Sequence, residues 1–121
     1  MTARFLSRDG NTALVIEGTT GKILDASTDQ AIASVDLRGE PLTAAISNNQ
    51  KFVATAIRVM LHTDIYQYQQ TSPGKWAMTL HKRLEQPPQA LAWEEPDDTH
   101  YPPMELVITH SDGKVERQWV K

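Results

Sequence analysis

The sequence of 121 residues contains no cysteine, which excludes disulfide bonds, thiolate nucleophiles and thiolate metal sites. It has no apolar run near the roughly 20 residues that a membrane-spanning helix needs, and its N-terminal segment has no apolar stretch of signal-peptide length. Basic residues are scattered, and the net charge is -3. These absences predict a protein that binds neither nucleic acid nor membrane and that is cytoplasmic or nuclear.

The composition is that of an ordinary globular chain. Hydrophobic residues make up 40% and charged residues 22%, which is far from the composition of disordered segments. A chain of this length is long enough to bury a real core and forms at most one ordinary domain.

Short apolar runs alternate with turn residues along the whole chain. Seven prolines and six glycines punctuate it, and no long window repeats apolar residues at helical spacing. Residues 76–84 have a short helical alternative, limited by Pro87 and Pro88, but we expect a strand there. The predicted strands lie near residues 2–7, 13–16, 22–26 and 31–37, then 42–46, 52–57, 62–68 and 76–82, then 89–93, 104–109 and 114–120. The sequence therefore predicts an all-β fold.

The strand pattern repeats three times. Each unit opens with a short strand that runs into a polar turn, in residues 2–10, 42–50 and 89–97. Ser7 and Ser47 are 40 positions apart, a period typical of propeller blades. The pattern predicts four-stranded antiparallel meanders in units of about 2–38, 41–84 and 88–121, within a single β-propeller-like domain that is a partial propeller.

These motifs resemble the blades of WD-repeat β-propellers. Phe5-Leu6-Ser7-Arg8-Asp9-Gly10 is similar to the family's first strand and serine-bearing turn. The segment Ser111–Trp119 is similar to its third strand, which follows an Asp-Gly turn and ends on tryptophan. The sequence contains no Trp-Asp and no Gly-His pair, so the family's buried His–Asp network is not carried over.

The resemblance implies a non-catalytic protein-interaction scaffold that needs no cofactor and binds protein partners through its inter-strand loops. The turns after the first strands of successive units are expected to emerge on one face. An acidic, proline-rich loop at 94–103 supplies the corresponding residues of the third unit, and its tyrosine is a candidate anchor. The predicted partner-binding residues are Arg8, Asn48, Asn49, Glu94, Glu95, Asp97, Asp98 and Tyr101.

The sequence also supports two alternatives. The third unit lacks a fourth strand, so the chain is either an excised part of a larger propeller or a self-assembling unit whose copies complete a ring. Alternatively, it is a small β-fold hydrolase or ligand-binding domain that uses His110 beside Ser111 and Asp112, although catalytic triads usually come from separate elements. The four histidines show no metal-binding spacing.

Overall fold

A computed structural model describes residues 2–94 and 105–119, and every strand in these two ranges is antiparallel to its neighbours. The strands are β1 (Thr2–Leu6), β2 (Thr12–Glu17), β3 (Thr20–Asp25), β4 (Ala31–Asp36), β5 (Thr43–Ile46), β6 (Phe52–Val59), β7 (His62–Ser72), β8 (Lys75–Leu84), β9 (Ala90–Glu94), β10 (Glu105–Thr109) and β11 (Val115–Trp119).

The strands form three separate blade-like meanders, which we call sheet 1 (β1–β4), sheet 2 (β5–β8) and sheet 3 (β9–β11). Within each sheet, every strand pairs with its neighbour in sequence. The all-β prediction is confirmed, as is the division into four, four and three strands in the described residues. The segment predicted as a strand rather than a short helix is β8, which spans ten residues.

The turns that follow β1 and β5 are built from the same hydrogen bonds. In sheet 1 the hydroxyl of Ser7 donates to Asp9 Oδ1 at 2.7 Å and accepts the N–H of Thr12 at 3.1 Å. The same aspartate oxygen accepts the N–H of Asn11 at 2.9 Å. Side chains thus satisfy backbone donors that the strand ladder leaves free.

In sheet 2 the hydroxyl of Ser47 donates to Asn49 Oδ1 at 2.6 Å and accepts the N–H of Phe52 at 3.1 Å. Asn49 Oδ1 accepts the N–H of Lys51 at 3.0 Å. The residue after Asp9 and the residue after Asn49 both have positive φ, 77° at Gly10 and 65° at Gln50. The repeat noted in the sequence is therefore a repeat of hydrogen-bonded geometry.

One apolar core lies between sheets 1 and 2. Tyr66 and Tyr68 share one face of β7 and are 8% and 1% exposed. The Tyr68 hydroxyl also accepts the N–H of Arg38, at 2.8 Å, and so ties the segment between the sheets to β7. The other buried members are Leu14, Ile16, Ile23, Val35, Leu37, Ala44, Ile46, Val53 and Ile57, with Phe5 packed against them.

A second core lies between sheets 2 and 3. Trp93 is 3% exposed, and its indole N–H donates to the carbonyl of Ala45 at 3.3 Å. Its ring packs against Phe52 at a centroid distance of 5.5 Å. The other buried members are Ala54, Ala56, Ile65, Leu84, Leu91, Leu106 and Ile108. Sheet 2 is thus covered on both faces, whereas sheets 1 and 3 each pack one face on it.

The first strands of the three sheets converge. β5 contacts both β1 and β9, and each of the three is an edge strand of its own sheet. Because the chain enters each sheet at this convergent edge, the turns that leave β1 and β5 lie close together.

Candidate functional site

The turns after β1 and β5 contact one another directly. The backbone N–H of Asp9 donates to Asn48 Oδ1 at 3.0 Å, and Nε2 of Gln50 donates to Thr12 Oγ1 at 3.1 Å. These contacts join residues 39 and 38 positions apart in sequence. The two turns thus meet on one side of the molecule, which is the arrangement expected from their equivalent places in the repeat.

The end of β9 reaches the same place. Nη1 of Arg8 donates to Glu94 Oε1 at 3.1 Å, across 86 positions of sequence. The structure therefore brings together three of the predicted partner-binding residues, Arg8, Asn48 and Glu94, one from each sheet or its adjoining turn. We call this surface the turn cluster.

A groove with a cavity volume of about 580 Å³ runs from the turn cluster along the converging first strands. Its apolar lining comes mainly from all three first strands, and its charged lining consists of three arginines and Glu94. The lining residues are Arg4, Phe5, Leu6, Arg8, Ala44, Ala45, Ile46, Leu91, Ala92, Trp93, Glu94, Val107 and Arg117. An apolar floor with a few convergent polar groups is the usual character of a binding site.

Glu94 organises the charges at this groove. Its carboxylate accepts from Arg8 and from Nη1 of Arg117, and Arg117 also contacts Glu105 at 3.3 Å. Arg4 pairs with Asp29 at 3.2 Å. The Arg8 side chain is 66% exposed and that of Arg117 is 52% exposed, so each ion pair is worth roughly 0–1 kcal/mol. Each guanidinium carries five N–H donors, which leaves donors for a ligand.

Asn49, another predicted contact residue, has its Oδ1 engaged within its own turn. Glu95, Asp97, Asp98 and Tyr101 lie outside the described residues. Sequence reasoning missed Arg4 and Arg117, although both stand on strands at alternating positions opposite the buried side chains. The alternation of side chains along a strand predicts that both arginines are exposed. The sequence around each of them does not indicate that β1 and β11 both reach one groove.

A second polar cluster lies where sheet 3 meets the outer strand of sheet 2. Glu116 accepts hydrogen bonds from Lys82 and Gln118, and its Oε1 lies 3.1 Å from His110 Nε2. These groups, Lys82 above all, lower the pKa of Glu116 from 4.5 to about 2 against an opposing effect of burial. The cluster therefore holds a carboxylate that stays ionised and links the two sheets.

His110 is thus paired with Glu116, not with the neighbouring side chains that suggested a hydrolase. Asp112 Oδ1 accepts the N–H of Lys114 at 2.9 Å, and the N–H of Gly113 donates to the carbonyl of His110 at 3.0 Å. Asp112 therefore has the turn-forming role that its Asp-Gly sequence favours.

Asp64 provides a buried carboxylate on the face of sheet 2 that packs on sheet 1. Its two oxygens accept from Arg83 Nε at 2.8 Å and Nη2 at 3.3 Å, and the Tyr66 hydroxyl lies 3.4 Å away. The hydrogen bond from Arg83 lowers the pKa of Asp64. His62 Nε2 lies 3.7 Å from the same carboxylate, beyond hydrogen-bond distance. The arrangement is a structural ion pair that joins β7 to β8.

Within residues 2–94 and 105–119, no group of three or more His, Cys, Asp and Glu side chains is placed to hold a metal ion. None of the described residues belongs to a helix that could cross a membrane.

Comparison with protein-family models and with curated protein sequences gave no match to this chain.

Proposed function

We propose that this chain is a non-catalytic protein-interaction module, related in kind to the WD-repeat scaffolds that its motifs resemble. Its contact surface is the turn cluster together with the adjoining groove. The partner is a protein segment that places an apolar side chain on the groove floor and acceptor groups against the arginines.

The observation that carries this proposal is the convergence of Arg8, Asn48 and Glu94. Asn48 Oδ1 accepts the N–H of Asp9, the residue after Arg8, at 3.0 Å, and Arg8 donates to Glu94 at 3.1 Å. These contacts lie beside a cavity with an apolar floor. The strand ladders and the turn hydrogen bonds hold the backbone of Arg8 and Asn48 in place. A surface fixed in this way loses little conformational entropy when it binds a partner.

The arginines that line the groove also favour the binding of a partner. Arginine is enriched at binding hot spots because its planar guanidinium forms several directed hydrogen bonds. Three guanidinium groups line the groove against one lining carboxylate. A carboxylate or backbone carbonyl of the partner could accept hydrogen bonds from guanidinium N–H groups that are not used in the weak, exposed pairs with Glu94 and Asp29.

The test is selection of short random peptides on the immobilised chain, followed by titration of the enriched peptides in solution. We expect Arg8→Ala to weaken their binding by about tenfold or more, the loss typical of a hot-spot arginine. Arg58→Ala is the matched control, since Arg58 is exposed in the β6–β7 hairpin and donates to the carbonyl of Met60. It should leave binding unchanged.

Either of two results would overturn the proposal. One is the enrichment of no peptide above the background of an unrelated β protein. The other is equal weakening of the selected peptides by both substitutions, because the loss would then reflect general charge rather than the turn cluster.

A further inference from the structure

The two sheet interfaces within the chain are built from equivalent positions of the repeat. Ile46 of β5 belongs to the core between sheets 1 and 2, and Phe5 of β1 packs against it. Ala45 of β5 and Trp93 of β9 belong to the core between sheets 2 and 3. In the repeat, Phe5 is equivalent to Ala45, and Ile46 to Trp93. Each interface therefore brings together two first strands. One contributes the residue at the Phe5 position of the repeat, and the next contributes the residue one place further along, at the Ile46 position.

The same pair of positions occurs once more, and in the part of the chain that the structure describes no sheet packs on it. Ala92 is the residue of sheet 3 equivalent to Phe5 and Ala45, and Leu6 is the residue of sheet 1 equivalent to Ile46 and Trp93. Leu6 is 57% exposed, whereas Ile46 and Trp93 are 2% and 3% exposed. Ala92 is exposed as well. An apolar position that is buried in two repeats and exposed in the third indicates a sheet face suited to packing against another sheet.

Further apolar side chains surround both positions. Val15 and Leu24 share with Leu6 the face of sheet 1 that points away from sheet 2, and both are only half-buried. Val107 and Val115 share with Ala92 the face of sheet 3 that points away from sheet 2, and Val115 is 56% exposed. We call these two surfaces the outer face of sheet 1 and the outer face of sheet 3.

We propose that a second copy of this chain covers these faces, with the outer face of sheet 3 in one copy packed on the outer face of sheet 1 in the other. The occupant follows from the structure because the contact continues an interface that the chain already makes twice. The two outer faces are the two complementary halves of that interface. Neither face is proposed to pack on its own equivalent, since the described residues contain no such pairing.

Two contacts of this kind join two copies into a closed ring of six sheets. Head-to-tail contacts close into a ring when the rotation between subunits permits, and six lies within the four to eight blades of known propellers. Both grooves then face the centre of the ring. The second copy therefore completes the walls of the groove that one chain leaves open, because Arg4, Leu6, Ala92 and Val107 line the groove as well as the outer faces.

The test is solution molar mass by light scattering after size exclusion, across a dilution series. The wild-type chain should have twice the mass of one chain. Leu6→Glu should shift it to the mass of a monomer, and so should Ala92→Arg, because each places a charge in both contacts of the ring. Leu61→Glu is the matched control. Leu61 is 85% exposed in the β6–β7 hairpin, away from both outer faces, so this variant should remain a dimer.

An equimolar mixture of the Leu6→Glu and Ala92→Arg variants gives the sharpest result. In a mixed pair, one contact carries both substitutions, with opposite charges, and the other carries neither. We expect the dimer mass to return on mixing. Far-UV circular dichroism and thermal unfolding of each variant establish that the monomers are folded, which the exposure of both positions leads us to expect.

The proposal would be overturned by a wild-type monomer at every concentration, by dimers that persist in both variants, or by failure of the mixture to restore the dimer. An open polymer would equally contradict a closed ring. The inference does not depend on the proposed peptide binding, since Arg8→Ala leaves both outer faces intact. A dimer that selects no peptide would sink the proposed function alone, and a monomer that selects peptides would sink the ring alone.

Discussion

The hydroxyl of Ser7 donates to the carboxylate of Asp9 across a turn of two residues, and the same hydroxyl accepts the buried N–H of Thr12. Ser7 is 4% exposed and Thr12 is fully buried. This side chain therefore satisfies a backbone donor that water does not reach.

Ser7→Ala should lower the free energy of unfolding by about 1–3 kcal/mol, the usual cost of leaving a buried donor without a partner. Urea unfolding followed by circular dichroism measures the change. Ser27→Ala is the control, because Ser27 bonds Asp25 at an exposed turn and its loss should stay within about 0.5 kcal/mol. Equal losses in the two variants would contradict the role assigned to Ser7.

Met60→Gly should raise the stability of the chain. Met60 is the first of the two residues that join β6 to β7, and its φ is 55°. Two-residue hairpins with positive φ at this position favour glycine. Relief of the left-handed strain, less the entropy that glycine loses on folding, should yield about 0.5–1 kcal/mol.

Leu61→Gly is the comparison for this change. Leu61 is as exposed as Met60, at 85% against 86%, but φ is not positive there. Glycine at this position should therefore lower the thermal midpoint while Met60→Gly raises it. A fall in both midpoints would contradict the strain at Met60.

Glu116→Gln should reduce the fall in the free energy of unfolding that accompanies a drop in pH from 4.5 to 2. The pKa of Glu116 lies at about 2 in the folded chain, against 4.5 unperturbed. The folded state therefore gains stability from this carboxylate above pH 4.5 and loses it as the pH falls from 4.5 to 2. After allowance for solvent screening of a side chain that is 30% exposed, the gain is roughly 1–2 kcal/mol.

Unfolding free energies measured between pH 7 and pH 2 test this prediction. Glu116→Gln should be less stable than wild type at neutral pH, and the two curves should meet near pH 2. Glu85→Gln, at an exposed position that follows β8, should track the wild-type curve. A constant gap between Glu116→Gln and wild type at all pH values would contradict the assignment.

Leu106→Ala and Val107→Ala compare the two faces of sheet 3. Leu106 is fully buried against sheet 2, so its truncation should cost about 2–5 kcal/mol. Val107 lies on the outer face and is half-buried, so its loss should be below about 1.5 kcal/mol. Unfolding free energies measured at a concentration where the chain is monomeric test both changes. A larger loss of stability in Val107→Ala than in Leu106→Ala would contradict the assignment of the buried face of sheet 3.

The strands were predictable because each one is bounded by local turn chemistry. The sequence Ser72-Pro73-Gly74 favours a turn, and Gly74, in the β7–β8 hairpin, has a positive φ of 79°. The strand ends were harder to place. β7 continues to Ser72, four residues beyond its predicted end, because pairing with β8 extends the ladder through polar residues that carry no apolar alternation.

The candidate site was predictable in part. The repeat placed Arg8 and Asn48 at equivalent turns, and hydrogen bonds now connect those turns. The role of Arg117 was not predictable, because its partners Glu94 and Glu105 lie 23 and 12 positions away. The packing of whole sheets decides which exposed strand residues meet, and no short stretch of sequence records it.

Every strand of this fold pairs with its neighbour in sequence, which has a consequence for how the chain acquires its structure. Sheets 1 and 2 close only short loops, and the entropy lost on closing a loop grows with its length. Sheet 1 can therefore assemble before sheet 2 has left the ribosome, and sheet 2 before sheet 3. We expect folding to proceed from the N-terminus, with each finished sheet serving as the template on which the next one condenses.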